Sequence, residues 1–582
     1  MGLPAALKAH KSKDFKNALQ HYERAYQQNE QKAILFQNYG ALLREQGNVD
    51  RAYEIYSRGL KLHPSHRGIR QNFANLIRRD NPVKSFEIHL SLLQEKILAN
   101  SENTLEPKDI IPVVELLEGL ECFHWAYRVL QWSFDYVKPD PNLLLLLFKI
   151  SSSPKLSKLF PLPEINKLVN SLHSCISEFS IIDQAEYYFA LANFHLLNCR
   201  PYEAMEDFAR ARRLLTSDPN LSADAREKAE KLNNRHSWNV ACNLLTLQNF
   251  EEGWQLFEYG LRTEAIGAQK WQRALPKPFR HDQCPLWRGE NLGGKRILLL
   301  EEQAIGDVMQ FLTLIRPLLD EALSVCLLIS DRLSPLYQRA FKSEISSGSL
   351  EIIPFSKINL ISSAYQRFDY QSPLGSICQY RFTDLQYYGN NMPILRPDME
   401  LTMQLRQSYL AHFPDTKKIV GISWRGGGRA DRIKQKSLPL ELFTKLLMGF
   451  DDILFVSLQY GESLPVVNNW LKQNIRVIHD GSIDALKDLD RWTSQVAACD
   501  AVVSVANTTI HGSGGLNIPT YCLLSQDSDW RWFKNPSVQR SYWYPSVGIA
   551  RQSTNRDWSE AVQKVREWLS SGTPMPSGSQ FT

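Results

Sequence analysis

The sequence lacks several patterns that would place it in a familiar class. None of its nine cysteines lies in a Cys-x-x-Cys pair, which argues against a thiolate zinc site or a disulfide framework and favours a reducing compartment. The net charge of +5 over 582 residues includes no concentrated basic run, so nucleic acid is not an expected partner. The most apolar run, Leu143 to Phe148, is far shorter than the roughly 20 residues of a membrane span. Because the first residues also carry no signal pattern, we expect a cytoplasmic protein without a membrane span.

The first third of the chain carries a recurring set of small and aromatic residues. The set at positions 18, 22 and 25 returns at positions 52, 56 and 59, about one 34-residue tetratricopeptide period later. Weaker forms of the same phase return near residues 188–211 and 241–260. The pattern predicts a tetratricopeptide-like helical repeat domain over residues 1–270, with a generic helical bundle as the alternative. Since repeat arrays expose a concave surface, we expect a protein or peptide partner there.

After a loop rich in proline and basic residues at about 276–281, short aliphatic runs alternate with helical stretches. Such alternation is typical of parallel α/β sheets, in which strands are buried on both faces. The segment 398–414 separates two series of runs, which predicts one lobe over residues 271–405 and a second over residues 406–582. The predicted strands are 296–300, 324–329, 350–353, 419–423, 453–458, 476–478, 501–505 and 520–524.

The first candidate site motif is the Gly306-Asp307 pair, which opens a helix after the strand ending at Leu300. Ligands of open parallel sheets bind at the carboxyl edge of the strands, where this pair is expected to lie. Asp307 would present a carboxylate to that cleft. The alternative is helix capping, because aspartate is also favoured at helix starts.

The second candidate motif is the loop from Gly421 to Arg429, which follows a buried strand and contains three consecutive glycines. Glycines beside Arg425 and Arg429 indicate backbone amides and guanidinium groups presented to an anion, and Lys434 and Lys436 follow. The alternative is a flexible, solvated basic turn.

The third candidate motif begins at Asn507, directly after the strand 501–505. Asn507, Thr508 and Thr509 are suited to helix capping, and a helix start binds phosphate through its unpaired N–H groups and its dipole. His511 lies one turn further along, either near that phosphate or satisfied locally. The aromatic segment from Asp527 to Phe533 would either line a cleft or pack two lobes together, and we favour packing.

Taken together, these segments resemble the tetratricopeptide-linked branch of the heptosyltransferase-like glycosyltransferases of family 9, over roughly residues 280–570. A more distant likeness is to the repeat-bearing O-linked N-acetylglucosamine transferases. The matching stretches are Trp287 with Gly289 and Leu292, Glu302-Gln303 with Gly306-Asp307, Gly421 with Trp424, Ser457 to Gly461, Asp500 with Ser504 and His511, Asp529 to Trp532, and Trp543 to Pro545.

The resemblance implies a GT-B unit of two Rossmann-like lobes after the tetratricopeptide α-solenoid. It also implies an inverting, metal-independent transfer from a nucleotide-diphosphate sugar bound mainly by the second lobe, without a cofactor. By position, Asp307 would be the general base and Lys436 would neutralise the leaving diphosphate. The remaining donor-binding set would be Trp424, Arg425, Gln459, Asn507, Thr508, Thr509 and His511.

Two positions depart from the pattern of many relatives, which have glycine at the position of Ala304 and aspartate at that of Ala506. Three hypotheses follow: a transferase acting on a protein, a transferase acting on a lipid-linked or surface glycan, or an inactive scaffold that works through its repeats.

Overall fold

A computed structural model gives the structure of the chain with its side chains. It describes residues 2–99, 105–153, 162–217, 221–261, 273, 282–362, 365–390, 392–427, 433, 436–526, 528–534, 539–553 and 556–576. The predicted loop at 276–281 and the positions Gly428, Arg429 and Lys434 lie outside the described residues. The chain divides into two compact units, the first comprising Met1–Phe194 with Asp207–Leu221 and the second His195–Glu206 with Ser222–Thr582.

The first unit is helical wherever the structure describes regular elements. The helices that lie within it or cross its border are α1 (Gly2–Lys11), α2 (Phe15–Gln27), α3 (Ala33–Glu45), α4 (Val49–Leu62), α5 (Arg67–Ile77), α6 (Pro82–Leu98), α7 (Pro107–Gly119), α8 (Phe123–Ser133), α9 (Pro141–Ser151), α10 (Leu162–Leu172), α11 (Ile181–Leu197) and α12 (Pro201–Ser217).

The helices of the first unit pack in pairs through the recurring small and aromatic positions. Tyr22 and Tyr56 are fully buried at equivalent places on α2 and α4. A Cβ on Gly40 would lie within 2.4 Å of the Tyr56 ring, so a small residue is what lets α3 approach α4. The predicted helical repeats are therefore confirmed in this region.

The second unit contains the α/β lobes and the helices around them. Its helices are α13 (Ala223–Thr246), α14 (Phe250–Phe257), α15 (Ile305–Leu312), α16 (Arg316–Glu321), α17 (Ser334–Ala340), α18 (Lys342–Ser347), α19 (Asn359–Ser362), α20 (Cys378–Arg381), α21 (Met399–His412), α22 (Leu440–Leu447), α23 (Leu464–Lys472), α24 (Leu489–Ala497), α25 (Thr508–Gly515) and α26 (Ser559–Ser570). The helices α13 and α14 belong to this second unit. In the sequence analysis, both lie within residues 1–270, the predicted repeat domain.

Each lobe of the second unit is built on a parallel sheet. The first sheet has the order β3-β2-β1-β4 and the second the order β10-β9-β8-β5-β6-β7. The strands are β1 (Arg296–Leu300), β2 (Ser324–Ile329), β3 (Leu350–Pro354), β4 (Tyr370–Pro373), β5 (Lys418–Ser423), β6 (Ile453–Ser457), β7 (Val477–Ile478), β8 (Ala501–Val505), β9 (Thr520–Leu524) and β10 (Val547–Arg551). The predicted architecture of helical repeats followed by two parallel α/β lobes is confirmed.

Strands β4 and β10 were not among the predicted strands, because neither is an aliphatic run. β4 carries the buried polar residues Gln371 and Ser372, and β10 includes Gly548 and ends at Arg551. Each pairs with one strand of its sheet and, on its other side, makes a β-bridge to a short segment, Leu286 to Gln371 and Arg540 to Gly548. Backbone pairing, rather than side-chain pattern, therefore decides their strand structure.

The strand order places a switch point in each sheet. Consecutive strands run to one side of β1 and of β5, and then β4 and β8 are added on the other side. The crevice at the carboxyl ends of the strands at such a point is where open α/β sheets bind ligands. The loops after β1, β5 and β8 therefore lie where a ligand of such sheets is expected to bind.

Candidate functional site

The turn between β1 and α15 carries the candidate base. α15 begins at Ile305, and Asp307 is its third residue. Asp307 Oδ2 accepts a hydrogen bond from the Ala304 N–H at 3.0 Å, which closes the first turn of the helix. The capping interpretation therefore holds for one carboxylate oxygen. The other oxygen, Oδ1, contacts Arg531 of the second lobe.

A chain of four charged side chains joins this turn to the second lobe. Arg531 Nε donates to Asp307 Oδ1 at 2.5 Å, and Arg531 Nη1 lies 3.3 Å from Asp529 Oδ2. The same Asp529 oxygen accepts from Lys436 Nζ at 3.2 Å. The side chains of Asp307 and Arg531 are 10% and 19% exposed, whereas those of Asp529 and Lys436 are 31% and 28% exposed. The charges alternate in sign, and the chain is more open to solvent at its Lys436 end.

Neighbouring charges hold the middle of this chain in its ionised form. Burial raises the pKa of Asp529, but the cations of Arg531 and Lys436 outweigh burial and hold that pKa well below its usual range. Burial also opposes the charge of Arg531, yet the carboxylates of Asp307 and Asp529 raise its pKa above the usual value. Both side chains therefore remain charged at physiological pH.

His511 lies in the first turn of α25 and contacts the α15 turn. A Cβ on Gly306 would come within 2.9 Å of His511 Cδ2, so only glycine allows the ring to lie there. His511 Nδ1 lies 3.0 Å from the hydroxyl of Tyr544. Burial lowers the pKa of His511 to about 4, although Asp307 acts in the opposite direction. The ring is consequently neutral near pH 7, with one nitrogen that donates and one that accepts.

α25 begins at the switch point of the second sheet and is positioned there by Asn507. Asn507 Oδ1 accepts from the Thr509 N–H at 2.9 Å and so caps the helix. Asn507 Nδ2 donates to Ser423 Oγ at 2.8 Å and to the Arg425 carbonyl at 3.1 Å. These bonds tie the helix start to the end of β5. Half-buried Thr508 is then the first residue of the helix.

The loop after β5 is held by Gln459 and passes close to Lys436. Gln459 Oε1 accepts from the N–H groups of Trp424 and Arg425 at 3.1 and 2.8 Å. A Cβ on Gly426 would come within 2.9 Å of Lys436 Cβ, so glycine permits this approach. The side chain of Gln459 therefore bonds to this loop, and its predicted contact with a donor stays a prediction.

A buried ion pair fixes the turn that precedes α15. Arg273 Nε donates to Glu302 Oε2 at 2.6 Å, and neither side chain is exposed. Arg273 also donates to Glu258 Oε1 at 2.6 Å and to Ser376 Oγ at 2.8 Å. Glu302 in turn accepts from the Gly375 N–H after β4. Since breaking a buried pair is costly, these contacts should hold the turn carrying Asp307 in place.

The structure brings most of the predicted site residues to one place, where the starts of α15 and α25 meet. Trp424 is placed differently: its ring is packed in the core of the second lobe, 4.8 Å from the Trp470 ring between centroids. Trp424 directly follows the buried strand β5, and its side chain is buried like those of the strand. Arg425 lies on the flank of the loop, with Nη2 3.3 Å from the Tyr460 carbonyl.

Asp529 and Arg531 were named in the sequence as part of an aromatic segment and of a stretch that carries the resemblance, but neither was predicted as a site residue. The packing expected for that segment is present, since Trp530 and Trp532 are both buried. The two charged residues alternate with these tryptophans shortly after β9. Two charged residues between buried tryptophans, close to the carboxyl end of a strand, could have indicated a site. The sequence does not show which residues they pair with, because those partners are distant along the chain.

Two further findings concern the described residues as a whole. No helix within them has the length and the apolar character needed to cross a membrane. In the same part of the chain, no three His, Cys, Asp or Glu side chains are grouped as metal ligands would be.

A separate cavity of about 380 Å³ lies in the second unit and contains none of the predicted site residues. Its described lining includes Asn390, Asn517 and Ser546, with Arg540 as the charged member. Nothing in that lining is suited to accept a proton from a substrate hydroxyl. We therefore place the candidate site at the charged chain rather than at this cavity.

Comparison with known proteins gives matches to different parts of the chain. Residues 5–66 match the family of YpiA-like, C-terminal tetratricopeptide repeats, which agrees with the predicted repeats. Protein FlbA of Caulobacter vibrioides is 27% identical over 337 residues, which are 56% of this chain and 53% of FlbA. The chain thus spans about half the length of this curated relative.

Solved structures with similarity include a glycosyl transferase of family 9 from Veillonella parvula. It is 13% identical, with a TM-score of 0.34 over 49% of this chain and 98% of the other. A variant of the O-GlcNAc transferase of Thermobaculum terrenum is 11% identical, with a TM-score of 0.21 over 93% of each chain.

Proposed function

We propose that this chain is a glycosyltransferase that moves a sugar from a nucleotide-diphosphate donor to an acceptor hydroxyl by inverting displacement. One observation carries the proposal: the Asp307 carboxylate, the Lys436 ammonium group and the start of α25 converge at the switch point of the second sheet. A base, a cation and a helix start are the groups that such a transfer needs.

Asp307 is proposed to act on the acceptor. Its carboxylate takes the proton of the acceptor hydroxyl, and the resulting oxygen attacks the anomeric carbon of the donor sugar. The bond between that carbon and the diphosphate oxygen breaks as the new bond forms, and the nucleoside diphosphate leaves with the electron pair. Attack on the face opposite the leaving group inverts the configuration at the anomeric carbon.

The second lobe is proposed to bind the leaving diphosphate. Lys436 offers a compact positive charge, and Thr508 and Thr509 begin a helix whose dipole favours an anion. His511 is neutral near pH 7 and would contribute a hydrogen bond rather than a charge. These groups stabilise the charge that grows on the departing phosphate, and we propose that they do so without a metal ion.

An inactive scaffold is the second candidate, and one observation favours it. Arg531 already pairs with Asp307, so the candidate base is not free in this structure. The repeats of the first unit would then carry the function by binding a protein. If the enzyme is active, the same repeats are proposed to present a protein acceptor, with a surface glycan as the other acceptor class.

The test is a panel of sugar nucleotides and nucleoside diphosphates, with thermal unfolding as the readout. A bound donor raises the apparent stability by mass action, by about 2.7 kcal/mol at a concentration of 100 Kd. We expect stabilisation of the wild-type protein by one nucleotide class and loss of that response in Lys436→Met.

The matched control is Lys417→Met. Lys417 pairs with Asp452 at 3.3 Å on the surface of the same lobe, far more exposed than Lys436. Its loss should leave the response intact. No response of the wild-type protein to any nucleotide would count against a transferase and leave the scaffold hypothesis, whereas binding with hydrolysis of the donor would exclude that hypothesis.

A further inference from the structure

We propose that Arg531 is a donor-binding residue that exchanges its partner Asp307 for the donor diphosphate, so that binding of the donor releases the base. This inference rests on the proposed function and adds to it an order of events.

In this structure, both carboxylate oxygens of Asp307 have partners. Arg531 Nε and Nη2 both lie 2.5 Å from Asp307 Oδ1, and Oδ2 accepts from the Ala304 N–H. A carboxylate oxygen has two lone pairs, and those of Oδ1 face the guanidinium group. The acceptor hydroxyl therefore has no access to Oδ1 until Arg531 moves.

Asp529 marks the place where an anion sits between two cations. Its Oδ2 atom lies 3.2 Å from Lys436 Nζ and 3.3 Å from Arg531 Nη1. A single carboxylate oxygen thus occupies the point on which both cations converge. A phosphate oxygen at that point would receive the same two charge-assisted bonds, and a guanidinium group can bind phosphate through two parallel N–H donors.

The charge balance favours an exchange when the donor arrives. The two carboxylates of Asp307 and Asp529 match the two cations of Arg531 and Lys436 in number, so the four-residue chain by itself carries no net formal charge. A diphosphate adds negative charge beside two carboxylates, and repulsion is relieved when the cations turn to the phosphates. Asp307 is then left without its counter-ion and beside the donor sugar.

The backbone of Arg531 is held by hydrogen bonds, whereas its side chain is partly exposed and can rotate. The Arg531 N–H donates to Asp529 Oδ1 at 3.2 Å, and the Arg531 carbonyl accepts from Trp543 Nε1 at 2.9 Å. The guanidinium lies over the Trp530 ring, 4.5 Å from its centroid. Because the side chain is not fully enclosed, rotation about its own bonds can redirect it without moving the loop.

The test measures the affinity of the full chain for nucleoside diphosphates by calorimetry in four proteins. Arg531→Gln should weaken binding by about tenfold or more, because a charge-assisted contact is lost. Asp307→Asn should tighten binding by about tenfold, because Arg531 no longer has to leave a charged partner. Asparagine at 307 keeps an oxygen for the Ala304 N–H, so the helix cap is retained.

The matched control is Asp490→Asn. Arg339 and Asp490 form another ion pair between the two lobes, with Nη2 and Oδ2 2.8 Å apart, and neither belongs to the candidate site. Its loss should leave nucleotide affinity within about twofold of the wild type. Equal tightening in Asp490→Asn and Asp307→Asn would mean that looser lobes, rather than release of Arg531, cause the effect, and would overturn the proposal.

The remaining outcomes separate this inference from the function on which it rests. If the wild type binds a nucleoside diphosphate and both Arg531→Gln and Asp307→Asn bind it equally well, the exchange is refuted and the transferase proposal stands. If the wild type binds none of the nucleotides, both fail. Tighter binding in Asp307→Asn together with weaker binding in Arg531→Gln is the result that supports the exchange.

Discussion

Two aspartates, one in each compact unit, occupy the same position in their helices but have different surroundings. Asp109 is the third residue of α7 and Asp307 the third residue of α15. In both, Oδ2 accepts from the backbone N–H three residues earlier at 3.0 Å. Both side chains are largely buried, at 5% and 10% exposure, and both pair with a cation.

The two aspartates differ in which elements carry their cationic partners and in which further charged residues those partners contact. Asp109 pairs with Arg67 of α5 and Lys96 of α6, which belong to neighbouring helices of the repeats. Asp307 pairs with Arg531 of the other lobe, which leads on to a second carboxylate and a more exposed lysine. The same capping geometry therefore occurs at Asp109, a structural position, and at Asp307, in the candidate site. Only the residues that each carboxylate contacts in the folded chain distinguish the two.

The largest expected effect is on catalytic turnover, which should fall when Asp307 is replaced but not when Asp109 is replaced. Asp307→Asn should reduce the turnover of donor by about 10²- to 10⁴-fold, because it removes the proposed general base. Asp109→Asn makes the same chemical change at the same helix position, with the loss of a comparable ion pair. It should leave turnover unchanged in a donor-hydrolysis or transfer assay. Equal turnover in Asp307→Asn and the wild type would remove the distinction.

The next effect is on stability against pH and concerns His511. Its pKa is about 4 in the folded protein against about 6.5 in an unfolded chain. Below pH 6.5 the unfolded chain binds a proton that the folded protein refuses, so stability falls as the pH falls toward 4. This one group accounts for at most about 3 kcal/mol of that loss.

His511→Asn should therefore flatten the decline in unfolding free energy between about pH 6.5 and pH 4. Burial also lowers the pKa values of His89 and half-buried His236 to about 4, but both residues are common to the two proteins and cancel in the comparison. His412→Asn, at an exposed position on α21, serves as the control for replacing a histidine with asparagine. An unchanged slope in His511→Asn would show that this ring is not held neutral by burial.

A smaller effect compares a glycine from each unit. Gly306→Ala would place a methyl group within 2.9 Å of His511 and should lower the free energy of unfolding by about 1–3 kcal/mol. Gly119 is the last residue of α7, and a Cβ there would meet nothing within 4 Å. Gly119→Ala should be neutral or stabilising by up to about 1 kcal/mol. Denaturant unfolding of both variants measures the difference, and equal effects would argue against the close approach of α15 and α25.

The smallest expected effect tests the placement of Trp424. Trp424→Phe should lower the free energy of unfolding by about 1–2 kcal/mol through lost packing, and leave nucleotide affinity within about twofold. Trp125 of the repeats is 62% exposed, and Trp125→Phe should alter neither quantity. A loss of nucleotide affinity of about tenfold or more in Trp424→Phe would place the ring in the donor site after all.

The course of the α/β lobes was open to prediction because buried parallel strands leave a strong local signal. Strand β8 was predicted with the bounds observed, and β5 within one residue, since each is mostly aliphatic and buried along nearly all of its length. β4 gave no such signal, because it includes buried polar residues, of which Gln371 donates to the Cys284 carbonyl of another segment. In the candidate site, Asp307 and His511 were predicted from their positions after strands, whereas Arg531 was not predicted.

What the sequence alone determined is the periodic part of the protein: helices from recurring small and aromatic positions, strands from aliphatic runs, and polar residues placed at strand ends. What only the tertiary structure decided is which charges meet. Arg531 lies 224 residues after Asp307, and a contact across that separation depends on the packing of both sheets. Local pattern reports on burial and backbone geometry, which act over a few residues, whereas an ion pair depends on a distance that the whole fold sets.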